Sequence, residues 1–259
     1  MTRPRWRFIV TPPAAGAENM ALDEALMARS RQTGEWMLRV YSWSAPTLSL
    51  GRNQTAVGRY DLQRIHERGL DVVRRPTGGR AILHHREITY CVTGPAEDAG
   101  DLHASYVRIN GLLLHALGTI GVRAAAFAPT RRASIPDLAP CFDQPSAGEL
   151  TVDGRKLAGS AQWRSEGALL QHGSILVADD QSSLAELAAE PQAPIPAPAT
   201  LAESLGHSPT VDELADALIG AVRLREDAGA SALDVEPEVR AHAAALVVRY
   251  RDDAWTWRR

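Results

Sequence analysis

Arg74-Arg75-Pro76-Thr77-Gly78-Gly79-Arg80-Ala81-Ile82-Leu83-His84 is the stretch on which the reading of this chain turns. A largely apolar run, Leu70 to Val73, leads into it. Ile88-Thr89-Tyr90-Cys91-Val92 follows after a polar interval. Apolar blocks bounded by proline and glycine predict strand, loop, strand, strand. Adjacent glycines carry no Cβ, so backbone N–H groups there can touch a ligand and the chain can take positive φ. The arginines on either side favour an anionic or carbonyl-bearing ligand. A hairpin loop with solvated arginines satisfies the same pattern, so these residues alone leave both readings open.

Upstream, Trp6 to Val10 predicts a short strand ended by Pro12 and Pro13. Ala17 to Arg31 predicts a helix closed by Gly34. Trp36 to Trp43 predicts a strand, with Trp36, Leu38 and Val40 on one face and Met37, Arg39, Tyr41 and Trp43 on the other. Thr47 to Leu50 predicts the next strand. Arg59 to Arg68 predicts a short helix with Leu62 and Ile65 inward.

Downstream, Tyr106, Ile109, Leu113, Leu117 and Ile120 recur at spacings of three and four, which predicts a helix over 102–120. Val122 to Phe127 predicts a strand, and 129–140 reads as irregular. Asp153-Gly154 is a hairpin signal between Glu149–Val152 and the return strand Arg155–Trp163. Gly167 marks a second turn before Ala168–Val177, which completes an antiparallel meander. Glu190 to Thr200, rich in proline and alanine, reads as an extended surface linker. Thr210 with Glu213 forms a capping box for a helix to Arg225. Pro237 to Tyr250 predicts the last helix, with Trp255 and Trp257 as packing anchors.

The 259 residues are 45% hydrophobic and 23% charged, ordinary for a globular chain and enough for one large domain or one domain plus a small appendage. We therefore read 1–259 as one domain, with the 190–200 linker before C-terminal helices. The net charge of −3 gives no global case for nucleic-acid binding. Arg74, Arg75, Arg80 and Arg86 would make a local basic patch if they face the same way. Two cysteines, Cys91 and Cys141, make no disulfide framework and suggest a reducing compartment. No apolar run approaches a membrane span, so a cytoplasmic protein without a membrane partner is expected.

Cys141 stands between Pro140 and Phe142 in a loop, where a thiolate favoured by positive charge can act as a nucleophile. Cys91 sits in a strand and reads as core filler. Lys156, two residues past the hairpin glycine, is the only lysine in the chain. Entering a sheet beside Gly159-Ser160, it can point its ammonium into a pocket or lie solvated on the hairpin. His84 ends the strand after the glycine pair and His172 precedes Gly173. Either can orient a ligand or be a satisfied structural group. No spacing resembles a zinc site, a Walker loop or a dinucleotide fingerprint.

The stretch from Arg74 to His84 resembles the signature of the lipoate–protein ligase, octanoyltransferase and biotin ligase superfamily. Asn19-Met20-Ala21-Leu22-Asp23-Glu24-Ala25-Leu26, Pro46–Gly51, Gly154–Gln162 and Gln171-His172-Gly173-Ser174 resemble its other motifs, so the resemblance runs from about Trp6 to Val177. Cys141-Phe142 before Pro145-Ser146 is similar to the cysteine-dependent octanoyltransferases of that superfamily. Gly51-Arg52-Asn53-Gln54 looks more like the ATP-dependent lipoate–protein ligases, and Ala147-Gly148 stands where the transferases have bulkier residues.

The resemblance implies an α+β fold with mixed, largely antiparallel sheets flanked by helices. It implies an acyltransferase that moves octanoyl from octanoyl-acyl carrier protein, through a Cys141 thioester, to the lysine of an apo lipoyl domain. Acceptors of that kind include the glycine-cleavage H protein and 2-oxoacid dehydrogenase subunits. The alternatives are an ATP-dependent lipoate–protein ligase and a lipoyl-protein amidotransferase. Cys141 and Lys156 are the implied catalytic pair. Arg75, Thr77, Gly78, Gly79, His84, Gly159, Ser160 and His172 are the implied substrate-binding residues. No cofactor and no metal is implied. Both expected partner proteins are acidic, which would give the arginine cluster a use.

Overall fold

The computed structural model describes residues 4–97, 99–127, 148–191 and 196–259. In chain order the elements are β1 Trp6–Val10, α1 Gly16–Thr33, β2 Trp36–Tyr41, β3 Thr47–Leu50, α2 Leu62–Glu67, β4 Asp71–Arg74, β5 Ile82–His84, β6 Glu87–Pro95, α3 Leu102–Thr119 and β7 Ala125–Ala126. After them come β8 Leu150–Val152, β9 Arg155–Ser165, β10 Ala168–Leu176, α4 Ser183–Glu186, α5 Leu201–Leu205, α6 Val211–Arg225, β11 Ser231–Ala232, α7 Pro237–Tyr250 and α8 Asp253–Thr256. Cys141 and the segment 129–140 lie outside the described residues.

Eight strands form the large sheet in the order β11-β1-β2-β6-β10-β9-β8-β7, and three form a small sheet, β4-β3-β5. The β1–β11, β1–β2 and β3–β4 pairs are parallel; the others are antiparallel. The architecture is α+β, mixed and largely antiparallel. The meander follows from its turns: Asp153 and Gly154, then Glu166 and Gly167, all take positive φ, as tight two-residue hairpins require.

Alternation along the strands separates two cores. Trp36, Leu38, Val40, Ile88, Tyr90 and Val92 face α3 and α6, where Ile109, Leu113, Leu117, Leu214, Leu218 and Val222 meet them. Tyr41, Trp43, Cys91 and Leu170 face the other way, toward Ala17, Met20, Ala21 and Met27 of α1 and Tyr250 of α7. Cys91 is core filler, as its strand position predicts. Helix α1 lies between the sheet and α7, ends at left-handed Gly34, and is buried on both flanks. No described helix is long and apolar enough to cross a membrane.

Some expectations need correction. Only Ile65 of α2 reaches the small-sheet core; Leu62, at the first turn, is 57% exposed. The strand predicted over 122–127 shrinks to Ala125–Ala126, an exposed edge with little to pack against. The 190–200 segment is not all surface. Its end dives inward, Ala199 and Thr200 are buried, and the Ala199 N–H donates to Lys156 O at 2.9 Å. Trp255 and Trp257 are half-buried anchors, as predicted.

Gly94 marks the tightest packing between β6 and β2. A Cβ there would fall 2.4 Å from Trp36 Cδ2 in the closed core. Gly94→Ala is expected to destabilise the protein by about 1–3 kcal/mol through overpacking. That corresponds to a Tm roughly 2–12 °C lower for a chain of this size. Thermal unfolding of the variant checks it, and an unchanged Tm would show that Trp36 can move aside.

Candidate active site

The loop between β4 and β5 is shaped from within. Arg75 donates from Nε and Nη2 to Gly78 O at 3.1 and 2.8 Å, from Nη2 to Arg80 O at 2.7 Å, and from Nη1 to Ser49 O at 3.0 Å. One planar guanidinium thus curls the loop around itself and pins it to β3. Gly79 takes φ +97°, and a Cβ on Gly51 would lie 1.9 Å from Gly79 O. Gly79 is therefore demanded by backbone geometry. Gly78 differs: its missing Cβ would meet nothing within 4 Å, which leaves open space beside the backbone.

Arg74 points to the opposite side of its strand. It is fully buried, donating from Nη1 to Gly51 O and Gln54 O at 2.6 and 2.8 Å and from Nε to Thr256 O at 2.8 Å. The condition for a basic patch of four arginines is not met. Arg74 and Arg75 are interior, Arg80 is half-buried and Arg86 is exposed.

A buried polar chain ties the loop to the large sheet. Arg39 Nη1 donates to Asp23 Oδ1 at 2.7 Å, and Tyr41 OH donates to Asp23 Oδ2 at 2.8 Å. Asp23 Oδ2 lies 3.1 Å from His172 Nδ1, and His172 Nε2 lies 2.7 Å from Thr77 Oγ1. Burial alone would raise the Asp23 carboxyl. Arg39 and His172 more than offset it and hold the carboxyl below its ordinary value. Burial pushes His172 down despite Asp23, so its ring is neutral near pH 7. An ionised Asp23 accepts from Nδ1–H, so Nε2 accepts from the Thr77 hydroxyl and the tautomer is defined.

A second buried group lies beside it. Glu87 Oε1 is approached by His84 Nδ1 at 2.8 Å and receives Thr89 Oγ1 at 2.6 Å and Ser174 Oγ at 2.8 Å. His84 is stacked on Trp43, with centroids 3.9 Å apart. Its ring is thus held on one face and at one nitrogen. The other carboxylate oxygen, Glu87 Oε2, is buried without a hydrogen-bond partner among the described residues.

Lys156 is buried, and its Nζ donates to Glu149 Oε1 at 2.7 Å. A bulge explains how a lysine at the start of β9 leaves the surface. Ala158 pairs with Leu150, but Lys156 pairs with Thr151, so Leu157 is the extra residue. Leu157 and Ala158 both enter the α3-side core. The alternation is thereby reset, and Lys156 falls on the face of Gly159 and Ala161. The β10 register puts these opposite Ser174 and His172. Lys156, Gly159, His172 and Ser174 therefore line one face of the sheet. Ser160 does not join them. Its Oγ bonds Tyr90 OH at 2.7 Å on the α3 side, because neighbouring strand residues point to opposite faces.

The assembled surface combines a cationic side chain, small residues at Gly78 and Gly159, and two oriented histidines. That set can bind a carbonyl-bearing acyl chain and stabilise charge on its oxygen. Among the described residues no group of three His, Cys, Asp or Glu is placed to hold a metal. Sequence reasoning missed Asp23, Arg39, Glu87, Glu149 and Ser174 as members. Asn19 and Asp23, four apart on an otherwise apolar helix face, were the available signal; Arg39 in a run of strand formers was another.

His172 is neutral when folded, whereas an unfolded histidine titrates near about 6.5. The unfolded state binds more protons below that value, so stability should fall as pH drops from about 6.5 toward the lowered folded value. Asp23 adds a second loss below about pH 4, as its depressed carboxyl is titrated. In His172→Asn the first limb should flatten while the second remains. Urea midpoints between pH 8 and 3.5 check this, and an identical first limb in the variant would remove His172 as its source.

Residues 15–223 match the model of the lipoyl protein ligase A/B catalytic domain. The octanoyltransferase LipM of Kyrpidia tusciae is 38% identical over 274 residues, covering 98% of this chain and 99% of its own. That of Bacillus subtilis is 40% identical over 197 residues, covering 72% and 70%. Two solved structures share the fold. A lipoate-protein ligase A bound with ATP matches at TM-score 0.78 with 21% identity, covering 99% of both chains. A bipartite lipoate protein ligase from Thermoplasma acidophilum matches at 0.75 with 20% identity, covering 99% of this chain and 97% of its own. The matched segment holds the glycine loop, the Asp23–His172–Thr77 chain and Lys156, and the chain belongs to the lipoyl protein ligase A/B catalytic domain family.

Proposed function

We propose that this protein is an octanoyltransferase that takes octanoyl from a carrier-protein thioester, holds it on Cys141, and passes it to a lipoyl-domain lysine. The observation that carries the reading is Lys156. The only lysine of the chain is buried on the face of His172 and Ser174, with Glu149 at 2.7 Å. Burying an ammonium is costly unless a carboxylate and further polar groups meet it. A position that retains it beside an acyl-binding loop is suited to polarising an acyl carbonyl. Full-length similarity to an octanoyltransferase supports the same reading.

The chemistry needs two exchanges. The Cys141 thiolate attacks the donor thioester carbonyl, the new C–S bond forms, and the carrier thiolate leaves. The acceptor amine then attacks the acyl-cysteine, the C–S bond breaks, Cys141 thiolate is released, and the amine loses one proton to give the amide. Thioester for thioester is nearly isoenergetic, and thioester to amide is downhill, so no nucleotide is required. Lys156 and backbone N–H groups at Gly78 and Gly159 are the groups assigned to the oxyanion. Thr77 and His172 tie the loop to the sheet face that carries Lys156 and Gly159. An octanoyl-acyl carrier protein as donor and an apo lipoyl domain as acceptor are the partners proposed.

Mixing the protein with octanoyl-acyl carrier protein without ATP should add one octanoyl mass, removable by hydroxylamine and absent in Cys141→Ala. Intact-protein mass spectrometry reads this directly. Octanoylation of a lipoyl domain that survives Cys141→Ala and requires ATP would instead make the protein a ligase.

Lys156→Met should keep the fold and slow acyl-enzyme formation by about 10²–10³-fold, the size typical of one oxyanion contact. Single-turnover acylation measures it. A rate within a factor of two of wild type would take Lys156 out of the reaction.

A further inference from the structure

With Arg74 and Arg75 interior, the positive charge at the site's edge comes from Arg52, just past β3, and from the C-terminal tail. The C-terminal tail runs back over the segment that follows β3. Ala56 and Val57 donate their N–H groups to Arg259 O at 2.8 and 2.9 Å. Arg258 Nη2 donates to Arg52 O at 2.6 Å. Trp255 Nε1 donates to Arg74 O at 2.8 Å, and Arg74 Nε to Thr256 O at 2.8 Å. Arg52 N in turn donates to Thr77 O at 2.8 Å. Tail, segment 51–57 and glycine loop are thus one hydrogen-bonded unit.

This unit is rich in arginine. Arg52, Arg258 and Arg259 form no ion pair with a carboxylate among the described residues. The charges acting on Arg258 are those of Arg52, Arg259 and Arg249. Beneath them Arg74 is fully buried, its Nη2 has no hydrogen-bond partner among the described residues, and burial together with Arg258, Arg259 and Arg75 lowers it to about 10. Among the described residues no acidic side chain pairs with this cluster. Aromatic and apolar groups adjoin it. Arg52 lies over Trp163 at 5.1 Å, Arg258 over Trp255 at 3.9 Å, and Val57 is 61% exposed. Arginine and tryptophan around exposed apolar surface are the composition of a protein-binding hot spot.

We infer that Arg52, Val57, Trp163, Trp255, Arg258 and Arg259 form the landing surface for an acidic protein that delivers the acyl thioester. The partner's identity rests on the octanoyl-transfer reading; the surface rests on its own charge and shape. Trp163 stands seven residues from Lys156 along β9, roughly 20 Å at the rise of a strand. A partner seated on the tail must therefore reach the lysine on an extended arm. A thioester-bearing prosthetic arm does so, whereas a lysine side chain on an acceptor domain is too short. The acyl donor, not the acceptor, is the occupant.

The test uses the full-length protein with Arg258→Glu/Arg259→Glu, and Arg225→Glu on α6 as a charge control; Arg225 is exposed. For the tail variant, KM for octanoyl-acyl carrier protein should rise at least tenfold at low salt with kcat retained, and binding of the carrier protein should weaken equally. Its rate with octanoyl-pantetheine, a thioester without the protein, should not change. The gap from wild type should close as salt screens the cluster. The control should behave as wild type. An unchanged KM, an equal loss with the small thioester, or a loss confined to the acceptor step would each overturn the inference. Should wild type form no acyl-enzyme, the transfer reading fails, and equal carrier-protein affinity in both proteins then overturns the surface as well.

Discussion

The carboxylate of Asp23 is the point on which the site depends. It is fully buried and is met by Arg39, Tyr41 and His172. Those three come from β2 and β10, while Asp23 comes from α1. His172 passes the constraint to Thr77, so a helix, two strands and a loop are fixed by one negative charge. Removing a single partner from such a buried ionic group typically costs about 3–5 kcal/mol, because the remaining charge stays uncompensated. The arrangement therefore acts less as a source of net stability than as a specification of geometry. It sets where the glycine loop can lie above the sheet.

The same logic divides two neighbouring arginines. Arg74 is the last residue of β4 and Arg75 the first after it, and their side chains serve different partners. Arg75 curls the loop that follows it, whereas Arg74 gathers the carbonyls of Gly51, Gln54 and Thr256. Both are buried, and their hydrogen bonds among the described residues go to backbone carbonyls and Ser49. Their rigid planar donor sets replace hydrogen bonds that irregular backbone could not otherwise make in the interior. Charge that a partner can see is supplied by the tail instead.

The Leu157 bulge does comparable work at the other end of the site. One inserted residue moves Lys156 from the core face to the face of Gly159 and His172, and Glu149 follows because it precedes Leu150 on the partner strand. The strand can then carry Leu157 and Ala158 into one core and a lysine onto the opposite face. A strictly alternating strand would have put Lys156 on the core face with Leu150 and Ala158, among apolar side chains that offer an ammonium nothing.

Much was legible in the order of residues. The strands around Trp36, Val73 and Tyr90, the helices closed by Gly34 and capped by Thr210, and both hairpins follow from local pattern and turn chemistry. These forces act within a few residues. The unusual status of Lys156 was visible in composition alone. Local pattern could not show that Arg74 and Arg75 are interior, that Ser160 faces away, or that a bulge turns Lys156 inward. Nor could it pair Asp23 with His172 across 149 positions, or lay the tail on Ala56 and Val57. Each of these depends on which strands become neighbours and in what register. Register is decided by long-range packing of both sheet faces, and only the tertiary structure contains it.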